Sequence, residues 1–274
     1  VEIHRETRQP TSVNPEGIAV VTGASRGIGK AVALELAARG FETTATMRDV
    51  ADGKGLDGVR VERLDVTDPS SITLPGDLRV LVNNAGVESD NLPLEFMPDD
   101  GWRKLFETNV FGLVNVTRAA VPIMRAGGGG VICNITSSSE LAPVPFLGAY
   151  RASKAAVTAL GESLAAEVAQ FGIRVVEVMP GPIETEMLLA SDKPAAAIEY
   201  AEYKALAERM WEGRQGVRTS YTPAPEAARR IVNAILDDDG PLRYGCDPLS
   251  EGMLAGWNDT NNAQWVRGML KSFS

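Results

Sequence analysis

Residues 20–32 read VVTGASRGIGKAV, and the reading of this stretch decides the fold. A valine-rich run leads into glycines at 23, 27 and 29, after which a helical pattern runs from Gly27 to Arg39. A glycine-rich turn between a strand and a helix lets the backbone approach a pyrophosphate, which then rests on the helix N-terminus. The spacing is G-xxx-G-x-G rather than G-x-G-xx-G. A strand-to-helix turn without a ligand would also use glycine, so the remainder of the chain has to separate the two readings.

Working outward, short β-rich runs alternate with helical ones. Candidate strands cover 18–23, 42–47, 59–66, 79–86, 130–136, 173–180 and 242–247. Apolar runs such as VLV (80–82) and RVVEVM (174–179) suit parallel strands covered on both faces. Helices are expected at about 27–39, 100–125, 150–171 and 225–237, the second stopped by the glycines of AGGGG (126–130). Strand–helix alternation implies right-handed crossovers and a doubly wound sheet. Two crossovers, 48–58 and 67–78, are too rich in Gly, Asp and Pro for helices, so loops or single turns are expected there. No repeat or interdomain linker interrupts residues 17–274, which read as one domain behind a polar tail, 1–16.

Composition narrows the partners. The chain has 274 residues, 44% of them hydrophobic and 23% charged, which excludes wholesale disorder. A formal net charge of −9 argues against nucleic acid or an anionic membrane. No apolar run approaches the roughly 20 residues of a bilayer span, and the polar N-terminus lacks a signal-peptide core, so a cytoplasmic protein is expected. Cys133 and Cys246 read as two thiols rather than a disulfide. The lone His4 lies in the tail, leaving no His-based triad or His-rich metal site, and no metal is expected.

In AYRASKAAV (149–157), Tyr150 and Lys154 stand four apart in an alanine-rich helix and share one face. Alone this is an amphipathic stripe. It is also a chemical device, because an ammonium about 5 Å from a phenol, at an effective dielectric of about 20, favours the phenolate by roughly 3 kcal/mol. That is about two units off a reference pKa near 10, toward the range of a general acid/base.

TGASRGIG (22–29), NNAG (83–86), Ser137, Tyr150 and Lys154, taken in order, resemble the short-chain dehydrogenase/reductase family. Asn109 in NVFG and the stretch PGPIET (180–185) fall where that family has further motifs, and the similarity spans roughly 17–247. The resemblance implies an α/β, Rossmann-type doubly wound sheet of seven parallel strands with helices on both faces, binding a nicotinamide dinucleotide. It makes Tyr150 the acid/base, Lys154 the residue that tunes it and binds the nicotinamide ribose, and Ser137, 13 residues before Tyr150, the group that orients the substrate oxygen. Asn109 would support a proton-relaying water. The cofactor would be held by Gly23, Ser25, Arg26, Gly27, Ile28 and Gly29 in the loop, with Asp65 and Val66 flanking the adenine. Asn83, Ala85 and Gly86 would support the adenosine ribose. Pro180, Gly181, Ile183 and Thr185 would lie at the nicotinamide.

The family's acidic position at the end of the second strand falls on Met47, followed by Arg48. An acid there bonds a free ribose 2′-hydroxyl, whereas arginine accommodates a 2′-phosphate. Arg26 and Arg48 with no acid at 47 favour NADP over NAD, although Asp49 would restore an acidic partner in a shifted register.

Substrate-facing segments are expected at 91–98, 140–148 and 184–222. They offer Leu92, Leu94, Phe96, Leu141, Val144, Phe146, Met187, Leu188 and Leu189, with few cations, which suits a small hydrophobic ketone or secondary alcohol. Segment 184–222 is long for a connector and reads either as a helix capping the sheet or as a lid, with Tyr200, Tyr203, Ala207, Met210 and Trp211 on one face. The extension 248–274 would cover the sheet edge, line the pocket or rebuild an interface. The resemblance implies a homodimer through the helices at 100–125 and 150–170, or a homotetramer that also uses the edge of the last strand. A lyase or epimerase, or a nucleotide sensor without catalysis, are the rival classes; the intact Ser, Tyr, Lys and glycine loop speak against both.

Overall fold

A computed structural model describes residues 17–88, 90–190, 193–217, 221–260, 264–265 and 267–268. The tail, with His4, and part of the extension lie outside the described residues. Seven parallel strands form one sheet: β1 (Ile18–Thr22), β2 (Glu42–Met47), β3 (Arg60–Arg63), β4 (Leu78–Asn83), β5 (Gly130–Ile135), β6 (Ile173–Met179) and, numbered after a small ribbon, β9 (Arg243–Gly245). Their order is β3-β2-β1-β4-β5-β6-β9. The chain therefore winds outward from β1 to β3 and then restarts at β4 on the other side of β1. That reversal opens a crevice at the carboxyl ends of β1 and β4, where open α/β sheets take ligands.

Alternate residues of each strand serve opposite faces. Ala19, Val21, Val80, Val82, Val131 and Val176 pack with α1 (Gly27–Ala38) and α7 (Ala224–Leu236), through Val32, Leu36, Ile231 and Ile235. Val20, Leu78, Leu81, Ile132 and Val175 pack on the other face against Val116, Ala120 and Met124 of α3 (Leu113–Ala126) and Val168 of α4 (Gly148–Val168). Truncating one of these side chains to Ala, Ile132 for example, costs about 2–5 kcal/mol through lost transfer energy and the cavity left behind.

The two short crossovers hold single 3₁₀ turns at Val50–Asp52 and Pro69–Ser71. The single helix expected over 100–125 is instead interrupted. After α2 (Asp99–Phe106), residues Glu107–Gly112 make a π turn before α3 begins. Its physical reason is Asn109, which the turn aims at backbone outside the helix.

Segment 184–222 is anchored at both ends by a two-stranded parallel ribbon, β7 (Ile183–Glu184) with β8 (Thr222–Pro223). Between them lie α5 (Glu186–Ala190), a turn at Ala196–Glu199 and α6 (Lys204–Val217). Tyr203, Ala207, Met210 and Trp211 are less exposed than Lys204, Ala205, Glu208 and Arg209 and share the inward face, the Ala207 N–H donating to the Tyr203 carbonyl at 2.9 Å, whereas Tyr200 precedes the helix. Tyr200 stacks on Phe96 with centroids 4.1 Å apart, and Tyr203 meets Phe96 and Phe146 edge-on. The Ala197 N–H also donates to the Asn91 carbonyl at 3.1 Å. The segment thus covers the crevice and is tied to the loops after β4 and β5.

The extension begins as α8 (Pro248–Asp259), capped by Asp247. Cys133 and Cys246 are both free and buried, and burial pushes the Cys133 thiol up to about 12. No helix among the described residues is long and apolar enough to cross a membrane.

Candidate active site

Thr22, the last residue of β1, sets the centre of the crevice. Its hydroxyl oxygen accepts the backbone N–H groups of Asn84 and Ala85 at 3.0 and 3.1 Å and donates to the Val82 carbonyl. This folds residues 84–86 tightly against the glycine loop. Gly23 has φ +63°, and a Cβ there would lie 2.7 Å from the Ala85 Cα, so only glycine fits. A Cβ on Gly29 would strike the Asn84 amide nitrogen at 2.3 Å. The two motifs that stand far apart in sequence are thus one interlocked surface.

A cavity of about 590 Å³ opens on that surface. Gly23, Ser25, Arg26, Gly27 and Ile28 line it at the start of α1, with Met47 and Arg48 at the end of β2 and Asp65 and Val66 after β3. Ala85 and Gly86 follow, and Pro180, Gly181, Ile183 and Thr185 close the far end. Asp49 is engaged elsewhere, capping its own turn by accepting the Ala51 N–H at 2.9 Å. Gly29 lies behind the wall rather than on it. Asn83 points away: its amide donates to Thr117 Oγ1 and Asn134 Oδ1, both at 3.0 Å, inside the sheet. Asn84 lines the cavity in its place, and its amide donates to the carbonyls of Thr22 and Gly23.

Ser137, Tyr150 and Lys154 meet in the same cavity. Ser137 stands two residues past the end of β5 and caps a 3₁₀ turn (Ser138–Leu141), its hydroxyl accepting the Ser139 N–H at 3.2 Å. Lys154 is buried on α4, donates to the Ile135 carbonyl at 2.9 Å, and stands 5.9 Å from the centre of the Tyr150 ring. Asn109 does not line the cavity. Its Oδ1 accepts the Val87 N–H at 2.8 Å, and its Nδ2 donates to the Val87 carbonyl and to Ser153 Oγ. It still stands beside Lys154, since a Cβ on Gly86 would lie 3.3 Å from Asn109 Oδ1 and 3.6 Å from Lys154 Nζ.

The electrostatics correct one expectation. Lys154 was expected to draw the Tyr150 phenol down. Burial instead pushes that phenol up in the protein alone, the Glu88 carboxylate adding to the rise, Ser137 opposing it and Glu140 adding again. Burial also lowers Lys154 to about 8, against the pull of Glu140. At this separation the loss of solvation by two buried groups exceeds their mutual stabilisation.

Of the apolar residues expected to face substrate, Val144, Met187 and Leu188 line the cavity, and Leu92, Leu94, Phe96, Leu141, Phe146 and Leu189 do not. Leu94 and Leu189 point to solvent, whereas Leu141 is buried in the core. Leu147 and, from α8, Leu249 and Met253 take their places, so the extension does line the pocket. Among the polar lining residues that the sequence did not single out are Glu88, Asn91, Lys104, Glu186, Arg214 and Tyr221. Glu88 and Asn91 stand just beyond NNAG, a signal that was available. Arg214 and Tyr221 are brought in only by the folding of segment 184–222.

Residues 17–195 match the model of the short chain dehydrogenase family. The chain belongs to that family. It is 40% identical over 202 residues, 68% of its length and 82% of the other's, to a 3-oxoacyl-(acyl-carrier-protein) reductase of Escherichia coli. A short-chain dehydrogenase from Streptomyces avermitilis has a similar structure, with TM-score 0.75 and 32% identity, covering 90% of this chain and 94% of the other. Another, from Burkholderia cenocepacia in complex with NADP, gives TM-score 0.73 and 26% identity, covering 90% and 95%. Family membership makes the protein an oxidoreductase.

Proposed function

We propose that this dehydrogenase interconverts a ketone and a secondary alcohol with NADP(H) as its cofactor. The observation that carries the reading is the opening of Tyr150, Lys154 and Ser137 into the same cavity as the glycine loop and two arginines. The residues present fit the dinucleotide. Gly23, Ser25, Arg26, Gly27 and Ile28 line the cavity at the N-terminus of α1, where a pyrophosphate would rest, and the bare Gly23 and Gly29 let that loop pack onto Ala85 and Asn84. Arg26 and Arg48 offer cations where Met47 replaces a carboxylate, which suits a 2′-phosphate. The NADP carried by the Burkholderia cenocepacia relative agrees with that choice.

When bound, the nicotinamide supplies or accepts the hydride. Tyr150 donates its phenolic proton to the carbonyl oxygen during reduction and takes it back during oxidation. Ser137, fixed from behind by the Ser139 N–H, holds the substrate oxygen against Tyr150. Lys154 brings positive charge to the phenolate side, and the charge of an oxidised nicotinamide acts in the same direction. Asn109 holds Val87, and with it the loop that forms the cavity roof. Val144, Leu147, Met187 and Leu188 provide an apolar wall for the body of the substrate.

Two buried free thiols accord with a cytoplasmic setting. Phe111 and Leu160 are exposed on the helices through which a homodimer or homotetramer would form. The test is Tyr150→Phe: it binds NADPH as the parent does but reduces a panel of ketones with less than a tenth of the parent turnover. Retention of more than a tenth would sink the assignment.

A further inference from the structure

Two polar atoms at the substrate end lack partners. Asn91 Oδ1 and Tyr221 Oη are both shielded from solvent, and neither has a hydrogen-bond partner among the described residues. Both side chains line the cavity. Buried amide oxygens and phenols in native proteins are satisfied by protein, by water or by a ligand. Asn91 is also held in place, because its carbonyl accepts the Ala197 N–H from the covering segment. Tyr221 is fixed by its neighbour Thr222, whose N–H donates to the Pro182 carbonyl at 3.1 Å. These atoms are thus positioned by backbone contacts that leave their side-chain bonding unused.

The chemistry of the pair selects one kind of group. An amide oxygen accepts only, and a phenol both donates and accepts. A hydroxyl satisfies both, giving its proton to Asn91 and receiving one from Tyr221. An ionic group fits less well, because groups of both signs, Glu88 and Arg214, line the same cavity, Arg214 opposing the rise that burial gives the Glu88 carboxyl. The Glu88 carboxylate acts on Tyr150, and Glu88, Asn91 and Tyr221 line the one cavity that also holds Tyr150. We propose that the cavity reads a second hydroxyl on the substrate, away from the reacting carbonyl, through Asn91 Oδ1 and Tyr221 Oη. The substrate is then a hydroxy ketone or the matching diol, with an apolar body against Val144, Leu147, Met187 and Leu188. This deepens the reductase reading and rests on it.

The test uses the full chain and three matched ketones: 4-methylcyclohexanone, 4-hydroxycyclohexanone and 4-oxocyclohexane-1-carboxylate. A site built to hydrogen-bond a hydroxyl rejects analogues that lack it by large factors. The expected kcat/KM with NADPH is at least tenfold higher for the hydroxy ketone than for the methyl ketone. Asn91→Leu and Tyr221→Phe each bring that ratio toward one, with NADPH binding as the check on folding. A second arm measures binding of 1,4-cyclohexanediol and 4-methylcyclohexanol to the NADPH-loaded protein, which has no hydride acceptor for them, by calorimetry, and the diol binds at least tenfold tighter. Diol preference without turnover of any ketone keeps the hydroxyl assignment and removes the reductase reading. Turnover with equal or better use of the methyl ketone does the opposite. Preference for the carboxylate overturns the proposal in favour of Arg214.

Discussion

Glu140 holds Ser137 from behind: its Oε1 accepts the Ser137 backbone N–H at 3.2 Å, while its Oε2 accepts the Thr158 hydroxyl at 2.7 Å. Burial raises the Glu140 carboxyl against the pull of Thr158 and Lys154. This side chain therefore sets the position of the serine and the charge around Tyr150 and Lys154 on α4.

Glu140→Gln keeps the shape but removes the charge. Glu140 raises the phenol of Tyr150, so its neutralisation lowers that phenol. The acid form of Tyr150, which reduction requires, is then lost at lower pH. The alkaline limb of the kcat/KM profile for ketone reduction moves to lower pH, and an unmoved limb would show that Glu140 acts by shape alone. Glu140→Ala, which also orphans the Ser137 N–H, lowers kcat at every pH.

Asp247 joins the extension to the far end of the cavity. Its Oδ2 accepts the Gly181 N–H at 2.6 Å, and its Oδ1 accepts the N–H groups of Leu249 and Ser250 at the start of α8. Asp247→Ala removes a helix cap, worth about 1 kcal/mol. It also leaves a half-buried N–H without its partner, at a further cost of about 1–3 kcal/mol. Urea unfolding should show a loss of about 2–4 kcal/mol. The affinity for NADPH falls with it, because Pro180 and Gly181 line the cavity. Lost stability with unchanged affinity would mean that the turn keeps its shape without Asp247.

How legible all this was in the sequence depended on the range of the forces involved. Glycines 23, 27 and 29 announced the crevice because close backbone approach permits almost no other residue. Tyr150 and Lys154 were legible because a helix fixes their spacing. Asn83 was misplaced by one residue, since both asparagines of NNAG are equally plausible until Thr22 fixes which one turns outward. The π turn around Asn109 was hidden because the bonds that favour it reach Val87 and Ser153, distant in sequence. The polar end of the cavity was hidden for the same reason: Arg214 and Tyr221 reach it only through the β7–β8 ribbon. The pKa of Tyr150 was misjudged because a charge pair can be counted from spacing, whereas burial cannot.

In the proposed reading Arg26 and Arg48 carry the cofactor preference, and kinetics can read it. Both are exposed and face the cavity near Met47. A charge-assisted hydrogen bond is worth about 1.5–3 kcal/mol, so each arginine lost to Ala should raise the KM for NADPH by roughly tenfold or more. The KM for NADH, which lacks the 2′-phosphate, stays within about twofold, since a surface substitution away from the ligand costs little. Equal losses for both cofactors would place these arginines on the shared pyrophosphate instead.

Glu177 stands in β6 with no exposed surface, its Oε2 accepting from Arg243 Nε at 2.9 Å and its Oε1 without a partner among the described residues. Gly161 makes room for it, since a Cβ there would lie 2.3 Å from Oε1. Burial raises this carboxyl from 4.5 to about 7, with Arg243 opposing and Glu140 and Glu162 adding to the rise. The folded chain therefore keeps a proton that the unfolded chain gives up. The stability this confers is full below pH 4.5 and is lost as pH rises to about 7. The loss amounts to ~3 kcal/mol, at about 1.4 kcal/mol for each pKa unit. Glu177→Gln cannot lose a proton, so it escapes this decline. Urea unfolding of both proteins at pH 5 and pH 7.5 should show the variant gaining ~2 kcal/mol on the parent between the two, part of the loss lying below pH 5. Parallel changes in the two proteins would mean that Arg243 keeps Glu177 ionised throughout.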